Sequence, residues 1–297
     1  MALTYVAFCQ FGYLTKPENF AAAIWPAHGL SFVAYMLTPF KMWPFIALGA
    51  GVLELPSEPL FAWLAGQTAN PWQVNLGYAI ANVLSTMGPA ALSRTLRLYR
   101  SEDRMPLVIS PLWIVALFVG VVPGALLGSL MRVAVGGGAL ETADVGLWCL
   151  STLLTIVTFS PTVFGVLLGF SESARAPARR WEAGTVSLIF LALFAWFALV
   201  PWPLADQLVK PMLFTIPLSW LALRFSHRAT SIAVVFVASG VVLLSEQAVQ
   251  VPDNIQGWRV VLISIDIFLL LGCGGAMLIN LMTLRQRSLI EELAREH

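Results

Sequence analysis

The sequence predicts an all-α fold, a polytopic transmembrane helical bundle, on three observations. Hydrophobic residues make up 58% of the 297 positions and charged residues only 11%, with a mean hydropathy of +0.80. A soluble domain carries about 25% charged residues to solvate its surface. Apolar stretches recur along the whole chain, so lipid rather than a single packed core takes up the hydrophobic area. Lys and Arg are also distributed unevenly between alternate connecting segments, as they are in membrane proteins.

In hydrocarbon every backbone polar group must be satisfied within its own segment, which leaves helices as the spanning element. About 20 apolar residues are needed to cross about 30 Å. Segments of that character run at about 3–15, 18–39, 42–65, 73–97, 107–134, 145–170, 182–201, 208–225, 228–247 and 258–284. The first is short for a span, and the third is interrupted by Leu55-Pro56-Ser57-Glu58-Pro59, so 8 to 10 spans are expected. The N-terminus has neither a basic start nor an A-x-A cleavage pattern, so it reads as a short span rather than a removable leader.

Charge tests the orientation. With an even number of spans and the C-terminus in the cytoplasm, Lys41, Arg94, Arg97, Arg100, Arg104, Arg175, Arg179, Arg180, Arg224, Arg228, Arg285, Arg287 and Arg295 lie inside. Only Lys16, Arg132, Lys210 and Arg259 remain of the 17 cationic residues. Lys and Arg resist translocation, so this asymmetry favours the even count with both termini inside.

Several function classes drop out. A formal net charge of +1 gives no basic face for nucleic acid. Cys9, Cys149 and Cys273 lie in apolar segments without a C-x-x-C pair, so neither a disulfide framework nor a zinc site is indicated. No H-E-x-x-H, G-x-S-x-G, Walker A or post-strand G-x-G-x-x-G occurs, and no catalytic residues, metal or cofactor are assigned. Of three histidines, His227 falls in a basic loop, His297 ends the chain, and His28 alone lies in an apolar segment.

Polar groups at membrane depth are therefore the candidate ligand-binding residues, because burying them is costly unless they are paired or face water. Asp266 lies eight residues past Trp258, about 12 Å into the membrane at 1.5 Å per residue. It is either a ligand, ion or proton site or a structural hydrogen bond. Glu54 and Glu58 flank the proline-rich interruption, which is either a broken helix of the kind that builds transporter sites or a plain outer loop. Asn82 reads as an interhelical hydrogen bond or a ligand contact. The sequence Thr15-Lys16-Pro17-Glu18 resembles a helix start, so Pro26 is expected inside that helix, kinking it and freeing a carbonyl beside Trp25 and His28. Those two residues either line a pocket or, for Trp25, anchor the interface.

Gly120, Gly124 and Gly128 share one helix face at four-residue spacing, a pattern that lets another helix approach closely. Gly272, Gly274 and Gly275 in the last span serve packing in the same way or loosen a helix that transmits movement.

The ordered set Ala23-Ile24-Trp25-Pro26-Ala27-His28-Gly29-Leu30, Met42-Trp43-Pro44, Leu48-Gly49-Ala50, Asn82, Leu96-Arg97, Thr158-Phe159-Ser160-Pro161 and Phe214-Thr215-Ile216-Pro217-Leu218-Ser219-Trp220 runs through nearly the whole chain. It resembles the MASE1 domain family of bacterial membrane-associated sensors. The chain departs from that pattern at Cys149-Leu150-Ser151-Thr152, where the family often has Gly-Asp, and at His28, where it has a small residue. The resemblance implies a sensory input module feeding a diguanylate cyclase, a phosphodiesterase or a histidine kinase. Residues 1–284 then form the sensor and 285–297 the start of a cytoplasmic signalling helix. No GG(D/E)EF-type loop and no kinase ATP site occurs within the sequence.

The tail supports that expectation independently. Leu281, Leu284, Ile290 and Leu293 are separated by three, six and three residues, approximating an a/d seam. It reads as the start of a parallel homodimeric coiled coil or as a solvated helix end. The expected partners are thus the lipid bilayer, a small-molecule ligand, a cytoplasmic output domain or protein and a second copy of the chain. Signal relay is expected along the last span through Gly272, Gly274, Gly275 and Leu284. A membrane transporter or channel is the alternative, motivated by the interrupted third segment, Glu54 and Asp266. A membrane enzyme lacks any recognisable acid, base and nucleophile set.

Overall fold

The computed structural model describes residues 2–15, 22–96, 98, 111–136, 139–168, 180–200, 209–248 and 255–296. Those residues form twelve α-helices and one 3-10 turn, with no strand among them. The helices divide into two compact units, residues 1–156 and 157–297.

The first unit contains α1 (Ala2–Leu14), α2 (Pro26–Leu37), α3 (Trp43–Glu54), α4 (Ser57–Ala65), α5 (Trp72–Thr95), α6 (Pro111–Gly136) and the first part of α7 (Thr142–Leu168). Pro26 opens α2 instead of kinking a longer helix, contrary to the expectation from Thr15-Lys16-Pro17-Glu18. Proline lacks the N–H that a first-turn residue cannot use, and it drives the preceding residue out of the helical region. Trp25 accordingly takes φ −124° and ψ 82°. Its carbonyl accepts from the His28 amide at 2.8 Å. The expected start at Lys16-Pro17 lies outside the described residues.

The interruption at Leu55-Pro56 is a helical kink, not an outer loop. Both residues keep right-handed helical dihedrals, α4 follows α3 directly, and Glu54 and Glu58 are buried. Pro56 lacks an N–H, which leaves a carbonyl of the preceding turn without its helical partner. Beside it the Ser57 hydroxyl donates to Leu53 O at 2.9 Å, and Gln10 of α1 donates to Ser57 O at 2.8 Å.

The pairing of α5 with α6 is the most extensive in the unit. Added as a methyl group, a Cβ at Gly120 would lie 2.4 Å from Pro89 N, and one at Gly88 would lie 2.1 Å from Gly120 O. Gly124 faces Ser85 and Ala81 equally closely, and Gly128 meets the Trp148 ring. Backbone therefore touches backbone at Gly120 and Gly124, as their spacing predicts, while Gly128 makes room for a ring.

The second unit contains the remainder of α7, α8 (Arg180–Leu199), α9 (Val209–Met212), α10 (Thr215–Arg224), α11 (His227–Ala248) and α12 (Ile255–Glu296). Arg224 at the end of α10 donates to Glu182 in the first turn of α8 at 2.8 Å. Each charge also suits its helix terminus. Continuous over 42 residues, α12 extends about 63 Å at 1.5 Å per residue, which is about twice the hydrocarbon thickness. Its apolar stretch is Leu262–Thr283, beyond which Leu289, Ile290 and Leu293 are at least half exposed.

Six stretches among the described residues are long and apolar enough to cross a membrane: Phe40–Ala65, Leu112–Ala134, Thr142–Phe164, Trp181–Leu199, His227–Ser245 and Leu262–Thr283. This makes the chain a multi-pass membrane protein. The expected 8 to 10 also counted the shorter α1, α2 and α10, together with α5. At 24 residues α5 has the length of a span, but Gln73, Asn75, Asn82, Ser85 and Arg94 lower its apolar character.

Candidate functional site

The helices of the first unit bring four of the five candidate ligand-binding residues into one neighbourhood. Glu54, in the last turn of α3, accepts from the Tyr5 hydroxyl of α1 at 3.3 Å and from the side-chain amide of Asn82 in α5. Asn82 thereby turns its oxygen toward α2, where it lies 3.0 Å from His28 Nε2. An acceptor at that place requires the proton on Nε2, so the neutral ring leaves Nδ1 as a lone-pair acceptor. Four helices are thus joined by one directed chain of hydrogen bonds. All four of its side chains are at most 6% exposed.

Trp25 stands beside this chain, its ring centroid 6.3 Å from that of His28. Its backbone N–H donates to the Thr155 hydroxyl of α7 at 3.0 Å, and Ser151, one turn earlier, donates to Ala22 O. These bonds hold the non-helical segment before α2 against α7.

A cavity of about 740 Å³, counted to its open mouth, lies in this unit. Trp25, His28 and Asn82 line it, whereas Glu54 acts behind the wall by orienting Asn82. Aromatic residues of the lining are Tyr13, Tyr78 and Trp148. Tyr13 packs edge-on to Trp25 at 4.9 Å, and Tyr78 lies parallel to Trp148 at 6.1 Å. The Trp148 indole N–H donates to Ser85 Oγ at 3.0 Å, which holds that wall in place.

Charge reaches the cavity through Glu58, Arg132 and Asp144. Glu58 accepts from the Asn70 amide at 3.0 Å and from Asn75 Nδ2 at 2.9 Å. Arg132 of α6 forms an ion pair with Asp144 in the first turn of α7. Four lining residues carry a buried polar atom without a protein partner: Trp25 Nε1, His28 Nδ1, Ser129 Oγ and Arg132 Nε. Groups left this way are costly in a folded protein, and four of them belong to residues of this one lining.

No family model, curated protein or solved structure matches this chain. What the site does chemically therefore rests on its own residues. Among the described residues no group of three or more His, Cys, Asp or Glu is arranged to hold a metal ion. Cys9, Cys149 and Cys273 are buried free thiols.

Asp266, the fifth candidate, belongs to the second unit and is not among the residues lining this cavity. It is buried in α12, and its Oδ1 has no protein partner. Two turns on, Gly272 meets Thr215 Cγ2 of α10, and Gly274 meets Val157 of α7. Gly275 has nothing within 4 Å of an added Cβ, so the close-packing reading fails there. The side chain of Leu284 lies outside the described residues.

His227 also departs from its sequence reading as a loop residue. It opens α11 in a buried position, with Nδ1 2.9 Å from Asn280 Oδ1 of α12. Asn280 Nδ2 donates in turn to Ala222 O of α10 at 2.9 Å and to Thr230 Oγ1 at 3.0 Å. This polar clamp fixes α12 against α10 and α11. The signals that sequence reading passed over are charges or amides among largely apolar helices: Arg132, Asp144 and Asn280.

Proposed function

We propose that this chain is a sensory input domain of a bacterial inner membrane. In this reading it binds a small molecule in the cavity of the first unit and relays occupancy through α12 to a cytoplasmic output domain. That domain is a diguanylate cyclase, a phosphodiesterase or a histidine kinase, carried in the same polypeptide or by a partner protein. The observation that carries this reading is the cavity. Its walls come from several helices, and those helices are joined by the Tyr5–Glu54–Asn82–His28 chain, so a ligand touching His28 or Asn82 acts on α1, α2, α3 and α5 together. The resemblance to MASE1 domains supports it, as does a last helix far longer than the bilayer is thick.

A topology of 8 to 10 spans with both termini inside agrees with the asymmetric placement of Lys and Arg. The exposed Leu289, Ile290 and Leu293 favour pairing of α12 with a second copy. Signalling requires a ligand that binds one helix arrangement more tightly than another.

The test is a fusion of the chain through α12 to a diguanylate cyclase. Asp266→Asn, in the middle of the relay helix, changes the response of cyclic di-GMP to stimulus if α12 is the conduit. An unaltered response across stimuli argues against that role. A transporter is the second reading, favoured by the kinked Phe40–Ala65 span with buried Glu54 and Glu58. Ser57 and Gln10 already occupy carbonyls at that kink, which weakens it as an ion site. Substrate-dependent flux in reconstituted liposomes would support the transporter over the sensor.

A further inference from the structure

We propose that the cavity of the first unit takes a small zwitterion, one carboxylate and one ammonium on a compact frame, as in an α-amino acid or a betaine. This inference rests on reading the cavity as the ligand site. Of the four unpartnered atoms carried by residues of its lining, the Trp25 indole N–H and the Arg132 Nε–H can only donate, and the Ser129 hydroxyl can donate as well as accept. Together they call for acceptor oxygens, which a carboxylate concentrates on two atoms, with the added strength of charge-assisted bonds.

A simple anion does not fit the rest of the wall. Two carboxylates, Glu58 and Asp144, share the lining with a single guanidinium, Arg132, so the formal balance is negative. Arg132 is moreover already paired with Asp144. The remaining features ask for a cation: the carboxylates themselves, the Nδ1 lone pair of His28, and the aromatic rings of Tyr13, Tyr78 and Trp148 in the lining. Aromatic faces attract ammonium groups through their quadrupoles. A bare cation, conversely, leaves Trp25, Arg132 and Ser129 unpaired. A zwitterion meets both demands and adds no net charge to a lining that is already formally negative. Apolar side chains of such a ligand find Ala22, Leu147 and the aromatic rings.

The experiment uses the full chain in nanodiscs, with thermal melts and calorimetric titrations against the common α-amino acids and glycine betaine. Any compound that binds is compared with its amine-only and carboxylate-only analogues, and a set of hexoses is run beside them. The expected result is saturable binding of at least one zwitterion, with each single-charge analogue weaker by about ten-fold or more, since each loses a charged hydrogen bond. Ser129→Ala removes a hydroxyl with no protein partner. It should melt like the parent without ligand yet bind the zwitterion about five-fold or more weakly. The proposal is overturned if no zwitterion binds the folded protein at about 10 mM, a concentration beyond ordinary ligand affinities. It is overturned equally if a single-charge analogue or a hexose binds as tightly. A zwitterion that binds without altering the fused output leaves this inference standing and removes the sensor reading. A ligand of another class that drives the output does the reverse.

Discussion

His28 Nε2 lies 3.0 Å from the side-chain oxygen of Asn82, and this contact sets the direction of every hydrogen bond around it. Asn82 presents its amide to Glu54 because its oxygen is engaged by the ring, and Glu54 accepts from Tyr5 on its other oxygen. Replacing Asn82 with Leu leaves one carboxyl oxygen and one imidazole N–H without partners. Each such buried group costs about 1–3 kcal/mol. A clearly lowered melting temperature in detergent is expected. A shift equivalent to less than about 0.5 kcal/mol, the range of indifferent surface changes, would remove the network from the forces holding α1, α2, α3 and α5.

The glycine stripe makes a paired prediction. Gly120→Val drives a side chain into the backbone at Gly88 and Pro89, and overpacking of this kind costs about 1–3 kcal/mol or more. Gly275→Ala enters open space in the middle of α12, where the helix gains about 0.5–1 kcal/mol from the change. Melting temperatures of the two variants should move in opposite directions. Equal destabilisation would mean that Gly275 is pressed against something.

Arg132 and Asp144 are expected to be worth less as a pair than either is worth to the other. Losing one partner of a buried ion pair costs about 3–5 kcal/mol, and the 21% exposure of the Arg132 side chain moves the figure toward or below the lower end. The double replacement with leucines restores much of that stability while abolishing ligand binding. A double variant less stable than both singles would mean that the pair is a net stabiliser of the fold.

Asn280→Leu tests the clamp on the last helix. It removes the hydrogen bonds of Asn280 to His227 Nδ1, Ala222 O and Thr230 Oγ1 at once. Destabilisation of about 2–4 kcal/mol is expected, since the freed groups regain some partners on relaxation. Proteolysis should then cut α12 faster than in the parent. Unchanged protection of α12 would place its anchorage in apolar packing alone.

The membrane character and most helix limits are legible in the sequence because hydropathy and length carry them: α5 was expected at about 73–97 and occurs at Trp72–Thr95. His28, Glu54 and Asn82 were legible for a physical reason too, since polar groups in apolar segments must find partners, and they find one another, whereas Trp25 stands beside them with its indole N–H unpaired. Arg132 escaped because it was weighed only as an exception to the charge asymmetry. Its partner Asp144 sits on a different helix, where no spacing rule connects the two. Tyr13, Tyr78 and Trp148 carry no signal at all, as an aromatic residue that lines a cavity is spelled like one that fills a core. Pro26 was read as a kink inside a helix, yet proline at a first helical turn starts one instead, while the interruption expected at Pro56 occurs as a kink between α3 and α4.

The central claim, that the state of the cavity governs output through α12, is tested most directly by filling the cavity from its own wall. Ser129 lines it, and its hydroxyl has no protein partner, so Ser129→Leu adds volume without breaking a bond. In the diguanylate cyclase fusion, matched for expression and folding, cyclic di-GMP is measured for parent and variant. A shift of about five-fold or more in either direction, equivalent to about 1 kcal/mol of bias between two states, is the expected result. Identical output from the parent and a folded, cavity-filled variant would contradict the claim.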